Sequence, residues 1–229
     1  MTSTTLLHLD SSISPDGSVS RALTARFASV WRARHGAAAR HRHLDLAGDP
    51  VPAVRAAFDA LGRRTERTGV LPLDDIALLT RTPEEEHEWA LARPLIEQLL
   101  AADVLLLGAP MYNFTVSTGL KAWIDRVTFP GVYRDAATGE ALLRGTRVVL
   151  VAVRGGGYGP GTPREHCDFQ VPYLRAYFEG LGIAPEHLHV VTAELTRAED
   201  VPALHALRPL AVESLAHAEA TLDALAATL

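Results

Sequence analysis

Short runs of apolar residues alternate along this chain with longer segments in which apolar residues recur every three or four positions. The short runs are bounded by Gly, Pro, Asp or Ser, which is typical of buried strands, and the longer spacing is that of amphipathic helices. Strands that alternate with helices in this way favour a parallel α/β sheet with helices on both faces. The five predicted strands occupy residues 4–10, 41–46, 103–109, 147–153 and 187–193.

The helical segments carry recognisable start signals. Residues 82–103 begin with Thr, Pro and three Glu, which suits a capped first turn at the positive end of a helix dipole. No repeat, low-complexity tract or linker divides the chain, so we expect a single domain over residues 1–229. The predicted helices occupy residues 19–36, 53–63, 82–103, 117–127, 168–183 and 209–229.

The composition is that of an ordinary soluble globular protein, with 48% hydrophobic and 21% charged residues over 229 positions. A formal net charge of −5 gives no basic surface for nucleic acid. The single cysteine, Cys167, allows neither an intrachain disulfide nor a cysteine-based metal site. Because no apolar stretch approaches the roughly 20 residues of a membrane span and the N-terminus lacks a signal peptide's basic region, we expect a cytoplasmic protein without membrane contact.

The segment after the first strand is rich in serine and leads directly into a predicted helix. Hydroxyl groups and free backbone N–H groups at a helix N-terminus form an anion site, which the helix dipole strengthens. The glycine-rich patterns of nucleoside-triphosphate and dinucleotide binding are missing, so this loop suits a single phosphate group. The residues that we assign to the phosphate are Ser12, Ser18, Val19 and Ser20.

Two further strand exits are expected at the same edge of the sheet, where open α/β sheets bind ligands. After the fourth strand, three glycines follow Arg154, and backbone without Cβ atoms approaches a ligand closely. After the third strand, a proline precedes four sizeable side chains that suit a planar ligand. The assigned residues are Pro110, Met111, Tyr112, Asn113, Phe114, Arg154, Gly155 and Gly156. A phosphate site, a planar ring and a close backbone approach together predict flavin mononucleotide (FMN) as the cofactor.

Residues 109–127 resemble the signature of the FMN-dependent NADH:quinone oxidoreductases of the azoreductase type, and the similarity extends over nearly the whole chain. The resemblance implies a flavodoxin-like, doubly wound fold and a homodimer with the active site between the subunits. It places Ser12, Ser18 and Ser20 at the FMN phosphate and residues 111–114 along the flavin ring. The family's Ser-Arg-Gly-Gly loop is matched by residues 153–156, where Val153 replaces the serine.

The predicted function is transfer of electrons from NADH or NADPH to a quinone, azo or related aromatic acceptor. The flavin carries this chemistry, so no side chain is expected to be an obligatory acid or base. One planar slot would serve donor and acceptor in turn, which predicts a ping-pong mechanism. The residues predicted to line the acceptor pocket are Phe114, Tyr133 and Tyr158.

Two segments depart from the family pattern and leave the acceptor open. These are residues 129–136 and a glycine-rich loop at 155–163 that is longer than usual. A flavoenzyme dedicated to one secondary metabolite is therefore an alternative. A flavodoxin-like electron carrier without turnover is the other, and rapid bleaching of the protein by NADH alone would separate an enzyme from such a carrier.

Two pairs of histidines are spaced so that each pair would share one face of a strand: His41 with His43, and His187 with His189. A metal site needs more ligands than one such pair, and histidines on strands are more often ordinary surface or edge residues. The sequence therefore predicts no metal site.

Overall fold

Five parallel strands form one sheet in the computed structural model, which describes residues 3–229. The strand order is β2-β1-β3-β4-β5, so the chain adds β2 on one side of β1 and then returns to add β3 on the other. This reversal leaves a crevice beyond the carboxyl ends of β1 and β3, where open α/β sheets bind ligands. The strands are β1 (Thr4–Asp10), β2 (Ala39–Asp45), β3 (Val104–Pro110), β4 (Arg147–Val153) and β5 (Leu188–Ala193).

Helices cover both faces of the sheet, and each face has its own apolar core. Trp31 and Leu222 belong to the core under α1 and α7, whereas Trp123 and Phe178 belong to the core on the opposite face. Within residues 3–229, no helix combines the length and the apolar character needed to cross a membrane. The helices are α1 (Val19–His35), α2 (Ala56–Thr68), α3 (Leu73–Ala77), α4 (Pro83–Leu100), α5 (Thr118–Val127), α6 (Val171–Gly180) and α7 (Arg208–Thr228).

The predicted parallel sheet is confirmed, and the largest differences lie in the helices. α6 is shorter than predicted because the Asp168 carboxylate accepts the amides of Gln170 and Val171, at 3.0 and 3.1 Å, before the helix begins. Gly182 has a positive φ of 94°, which ends the same helix. α2 runs five residues further than predicted, and the short helix α3 was not predicted.

Arg126 of α5 is fully buried and joins α4 to the segment that follows β2. Its Nη1 donates to Glu88 Oε2 at 2.5 Å, and its Nη2 donates to the carbonyl oxygens of Pro52 and Ala53 at 2.9 and 3.0 Å. A buried charge is tolerated when it is paired and its remaining donors are satisfied. Arg126 therefore connects three segments that are far apart in the sequence.

Removing the carboxylate of Glu88 is expected to leave this guanidinium buried without its counter-ion. We predict that Glu88→Ala lowers the free energy of unfolding by about 3–5 kcal/mol. The matched control is Asp59→Ala, which breaks a pair with Arg63 whose side chains are 61% and 63% exposed, and its cost is expected to be about 0–1 kcal/mol. Urea unfolding measures both losses, and equal losses would contradict the role of the buried pair.

Candidate functional site

The exit of β1 is joined directly to β3. The amide and the hydroxyl of Ser11 both donate to the carbonyl oxygen of Gly108, at 3.1 and 2.8 Å. A Cβ atom on Gly108 would lie 2.7 Å from Asp10 Oδ1, so the close approach of these strands requires glycine there. The crevice thus has a rigid floor.

The N-terminus of α1 opens onto this crevice. Ser18 is the N-cap, and its hydroxyl accepts the amide of Arg21 at 3.5 Å and lies 3.2 Å from the hydroxyl of Ser20. Ser12 and Ser20 are buried, and Val19 is half-buried as the first residue of the helix. Hydroxyls gathered around first-turn amides form the anion site that the sequence predicts.

Arg21 fixes this serine loop in place. Its guanidinium donates to both carboxylate oxygens of Asp45, at 2.9 and 2.6 Å, and to the carbonyl oxygen of Ser12 at 2.7 Å. The hydrogen bond from Arg21, with those from the Gly48 and Ala47 amides, lowers the pKa of Asp45 to about 2. Asp45 is therefore ionised at neutral pH and holds the guanidinium against the loop.

Neither Arg21 nor Asp45 was predicted from the sequence as a residue of the site. The two residues are 24 positions apart, on α1 and at the end of β2, and no local motif connects them. The only available signal was indirect: parallel strands that end at the same edge place Asp45 of β2 beside the exit of β1.

A tight turn follows β3. The amide of Tyr112 donates to the carbonyl oxygen of Thr115 at 2.9 Å, and the reverse bond is 3.1 Å. Between them, Asn113 and Phe114 have positive φ angles of 47° and 72°. Asparagine tolerates this left-handed conformation, but a bulky residue such as phenylalanine is an outlier there. Strain of this kind costs on the order of 1–3 kcal/mol and is concentrated at functional sites.

Neighbouring segments hold the turn in its strained conformation. The hydroxyl of Tyr112 accepts the amide of Ile13 at 3.2 Å, and the carbonyl oxygen of Phe114 accepts the amide of Phe169 at 3.1 Å. Met111 donates its amide to the carbonyl oxygen of Val153 at 2.7 Å. The turn's own pair of bonds does not use the amides of Asn113 and Phe114, so these N–H groups stand at the crevice edge with both side chains exposed.

The exit of β4 is organised by the Arg154 guanidinium, which is buried. It donates to Asp168 at 2.6 Å, to Glu194 at 2.8 Å and to Gln170 Oε1 at 3.3 Å. Arg154 was predicted from the sequence to contact the cofactor, but these internal partners engage its side chain. Only backbone groups of this segment are therefore expected to contact a ligand.

The glycines after Arg154 are held in place by the chain beyond β5. Gly156 accepts the amide of Leu195 at 3.1 Å, and Gly155 accepts that of Arg197 at 3.4 Å. A Cβ on Gly156 would lie 3.3 Å from the Tyr158 ring, so glycine permits this ring to fold over the backbone. The segment is thus an ordered wall of the crevice.

Two of the three predicted pocket residues come together. The rings of Phe114 and Tyr158 have centroids 6.2 Å apart at an interplanar angle of 70°, an edge-to-face pair. Tyr133 lies instead in the core: its hydroxyl donates to the carbonyl oxygen of Val127 at 2.8 Å, and burial raises its pKa well above its usual value. We therefore omit Tyr133 from the pocket.

Three residues of the divergent segment 129–136 pack inward. Phe129 and Val132, like Tyr133, are buried members of the core under α2, α4 and α5. At these three positions an altered sequence changes the core more than it changes the crevice.

A protein-family model described as the flavodoxin-like fold matches residues 4–211. The chain belongs to this flavodoxin-like family. The FMN-dependent NADH:quinone oxidoreductase of Nocardia farcinica is 43% identical over 204 residues, which are 89% of each chain. The protein of the same name from Streptomyces coelicolor is 40% identical over 225 residues, covering 96% of this chain and 93% of that one.

Solved structures of the flavodoxin-like family agree with the observed architecture. An azoreductase from Bacillus anthracis superimposes with a TM-score of 0.78 at 20% identity, over 99% of this chain and all of that one. An FMN-dependent NADH-azoreductase from the same species, in complex with FMN, gives a TM-score of 0.73 at 20% identity, over 99% and 98% of the two chains. At such identities the likeness concerns the fold, and the predicted flavodoxin-like fold is confirmed.

Strain at Phe114 can be measured by comparing two substitutions at that position. Glycine adopts the left-handed conformation freely, whereas in alanine this conformation still costs about 1–2 kcal/mol. We predict that Phe114→Gly is more stable than Phe114→Ala by roughly 1 kcal/mol in urea unfolding of the cofactor-free protein. Phe169 is the control position, because it is exposed but has no positive φ. There the alanine variant should be more stable than the glycine variant. The same order at both positions would show that Phe114 is not strained.

Proposed function

We propose that this protein is an FMN-dependent oxidoreductase that takes electrons from NADH or NADPH and passes them to a quinone, azo or related aromatic acceptor. The observation that carries the proposal is the strained turn at Asn113 and Phe114, held beside the serine-capped start of α1. Relatives at 43% and 40% identity that bear the name FMN-dependent NADH:quinone oxidoreductase support it.

The residues of the crevice fit FMN. Ser12, Ser18 and Ser20, with the first-turn amides from Val19 onwards, would hold the phosphate, because hydroxyls and the positive end of the helix dipole converge there. A second phosphate has no comparable set of donors in the loop, which favours FMN over a dinucleotide. When bound, FMN supplies the hydride chemistry.

The turn after β3 would orient the ring. The amides of Asn113 and Phe114 can donate to polar atoms at the ring edge, where preorganised donors stabilise negative charge. Pro110 and Met111 would lie along one side, and the backbone of Gly155 and Gly156 would approach from the β4 side. In this arrangement the chain binds and orients, and no residue needs to act as an acid or base.

The open side of the crevice is apolar. Ile13, Phe114 and Phe169 are exposed by 70%, 43% and 59%, and hydrogen bonds join the segments that carry them. We propose that donor and acceptor use this side in turn, which would give ping-pong kinetics, and that a second subunit of a homodimer covers the remainder. We propose the cytoplasm as the compartment, on the basis of composition alone.

The identity of the cofactor and its reduction test the proposal together. We predict that the purified protein is yellow, that it releases FMN on denaturation, and that NADH or NADPH bleaches it rapidly without oxygen. Chromatography of the released flavin and stopped-flow absorbance measure these two results. FAD, or no flavin, would refute the cofactor assignment, and FMN without rapid bleaching would favour an electron carrier.

Contacts to the phosphate and to the ring should have different kinetic effects. Ser18→Ala is expected to weaken FMN binding but to leave the reduction rate of FMN-saturated enzyme unchanged. Asn113→Gly keeps the left-handed backbone and removes the amide side chain. If that side chain forms a hydrogen bond with the ring, the substitution should remove about 1–3 kcal/mol of interaction free energy. This corresponds to a combined decrease of roughly 5- to 150-fold, divided between FMN affinity and the rate of flavin reduction.

Thr82→Ala is the matched control for Ser18→Ala, because Thr82 caps α4 in the same way, accepting the amide of Glu85 at 3.2 Å, away from the crevice. It should lower stability and leave FMN affinity unchanged. Fluorescence quenching gives the dissociation constants. If Ser18→Ala and Thr82→Ala bind FMN equally well, the phosphate does not lie at α1.

A further inference from the structure

Four polar side chains gather on one face of the sheet, at the edge formed by β1 and β2. In the parallel register His8 pairs with His43, and Asp10 and His41 lie two residues away on their own strands. Side chains two residues apart on a strand share a face, so all four point to the side covered by α1. His41 and His43 alone offer too few ligands, so no metal site was predicted from the sequence, but β1 brings His8 and Asp10 to them.

The donor atoms converge on one carboxylate oxygen. His43 Nε2 lies 2.9 Å from Asp10 Oδ2, and His8 Nε2 lies 3.3 Å from the same oxygen. One donor atom from each of these three residues falls within 4.8 Å of the other two. Ligands that surround a zinc ion at about 2.0–2.2 Å are separated by comparable distances, so small side-chain adjustments would complete such a site.

The ring of His8 is buried with one nitrogen unsatisfied. Its side chain is 5% exposed, and among residues 3–229 its Nε2 has no hydrogen-bond partner, although Asp10 is near. On the other side of the ring, His8 Nδ1 lies 3.3 Å from His41 Nε2. If His8 donates from Nδ1 to His41, its Nε2 directs a lone pair at Asp10 Oδ2. A cation between these two atoms would then satisfy both of them.

We propose that His8, Asp10 and His43 bind one divalent transition-metal ion, and that zinc best matches this set of two imidazoles and one carboxylate. Three protein ligands leave a fourth position for water, and the His43 side chain, 44% exposed, gives access from solvent. His41 would be a positioning residue that orients the His8 ring, as outer partners of metal-bound histidines do.

The ion would join the edge strand β2 to the centre of the sheet. Asp10 also accepts the hydroxyl of Thr24 on α1 at 2.8 Å, and it directly precedes the serine loop. The proposed role is therefore structural, and it is separate from electron transfer at the crevice.

The test uses tag-free, FMN-loaded protein carrying Cys167→Ser, stripped with EDTA and titrated with ZnCl₂ by calorimetry. The expected result is one zinc ion per chain with a dissociation constant of about 10 μM or lower. Cobalt should give the visible absorption of a four-coordinate site, and zinc should raise the melting temperature. No saturable binding below about 1 mM would overturn the proposal.

Variants locate the ion. His43→Ala changes the most exposed ligand, so it should fold and retain FMN, while zinc affinity falls about 100-fold or more and the melting temperature no longer responds. His41→Ala should weaken zinc about 10- to 100-fold. The matched control is His189→Ala, which alters a histidine on the other edge strand, β5, and should bind zinc like the parent. Unchanged affinity in His43→Ala, or an equal loss in His189→Ala, would overturn the assignment.

Discussion

Arg154 leaves the end of β4 with its guanidinium enclosed by Asp168, Gln170 and Glu194, which come from two separate stretches of chain. Gln170 in turn donates to the carbonyl oxygen of Ala109, and Glu194 accepts the amide of Tyr158. A planar guanidinium with several fixed donors suits this task better than a lysine would. The buried Arg154 guanidinium therefore holds the segments at the carboxyl edge of the sheet in place, because each of its hydrogen bonds joins a different residue of these segments to β4.

The serine loop and the turn after β3 depend on the same principle. Arg21 pairs with Asp45 and holds the carbonyl oxygen of Ser12, while Tyr112 holds the amide of Ile13. In each contact a strong hydrogen-bonding side chain shapes a loop and is not available to bind a ligand. The backbone amides are thus left available, and backbone amides are the groups best suited to bind phosphate and the polar edge of a planar ring.

The sequence predicted the features that depend on local pattern. The bounds of β1 and β4 and the threonine cap of α4 follow from neighbouring residues, and the structure confirms them. The assigned contacts with FMN stay predictions, although the crevice brings together most of the residues concerned. Phe114 and Tyr158 meet as expected, but the burial of Tyr133 depends on how its segment folds back onto the core.

What escaped prediction depends on pairs of residues that are distant in the sequence. Glu194 lies 40 positions from Arg154, and His43 lies 33 positions from Asp10. Composition and spacing do not show which distant residues meet, so the Arg-Gly-Gly stretch at 154–156 and the pair His41 and His43 gave no sign of their partners. The register of β1 against β2 supplies that information, and it emerges only when the sheet is assembled.

The glycine-rich loop has two fixed ends and a free middle. Tyr158 is held through its amide by Glu194, and Asp168 is held by Arg154, whereas residues 160–166 between them are largely exposed. Insertions and substitutions are best tolerated in exposed loops that make few contacts with the rest of the protein. The length and sequence of residues 160–166 can therefore change without moving either end of the loop. Substitutions and insertions at residues 160–166 are therefore expected to leave the framework around Arg154 unchanged.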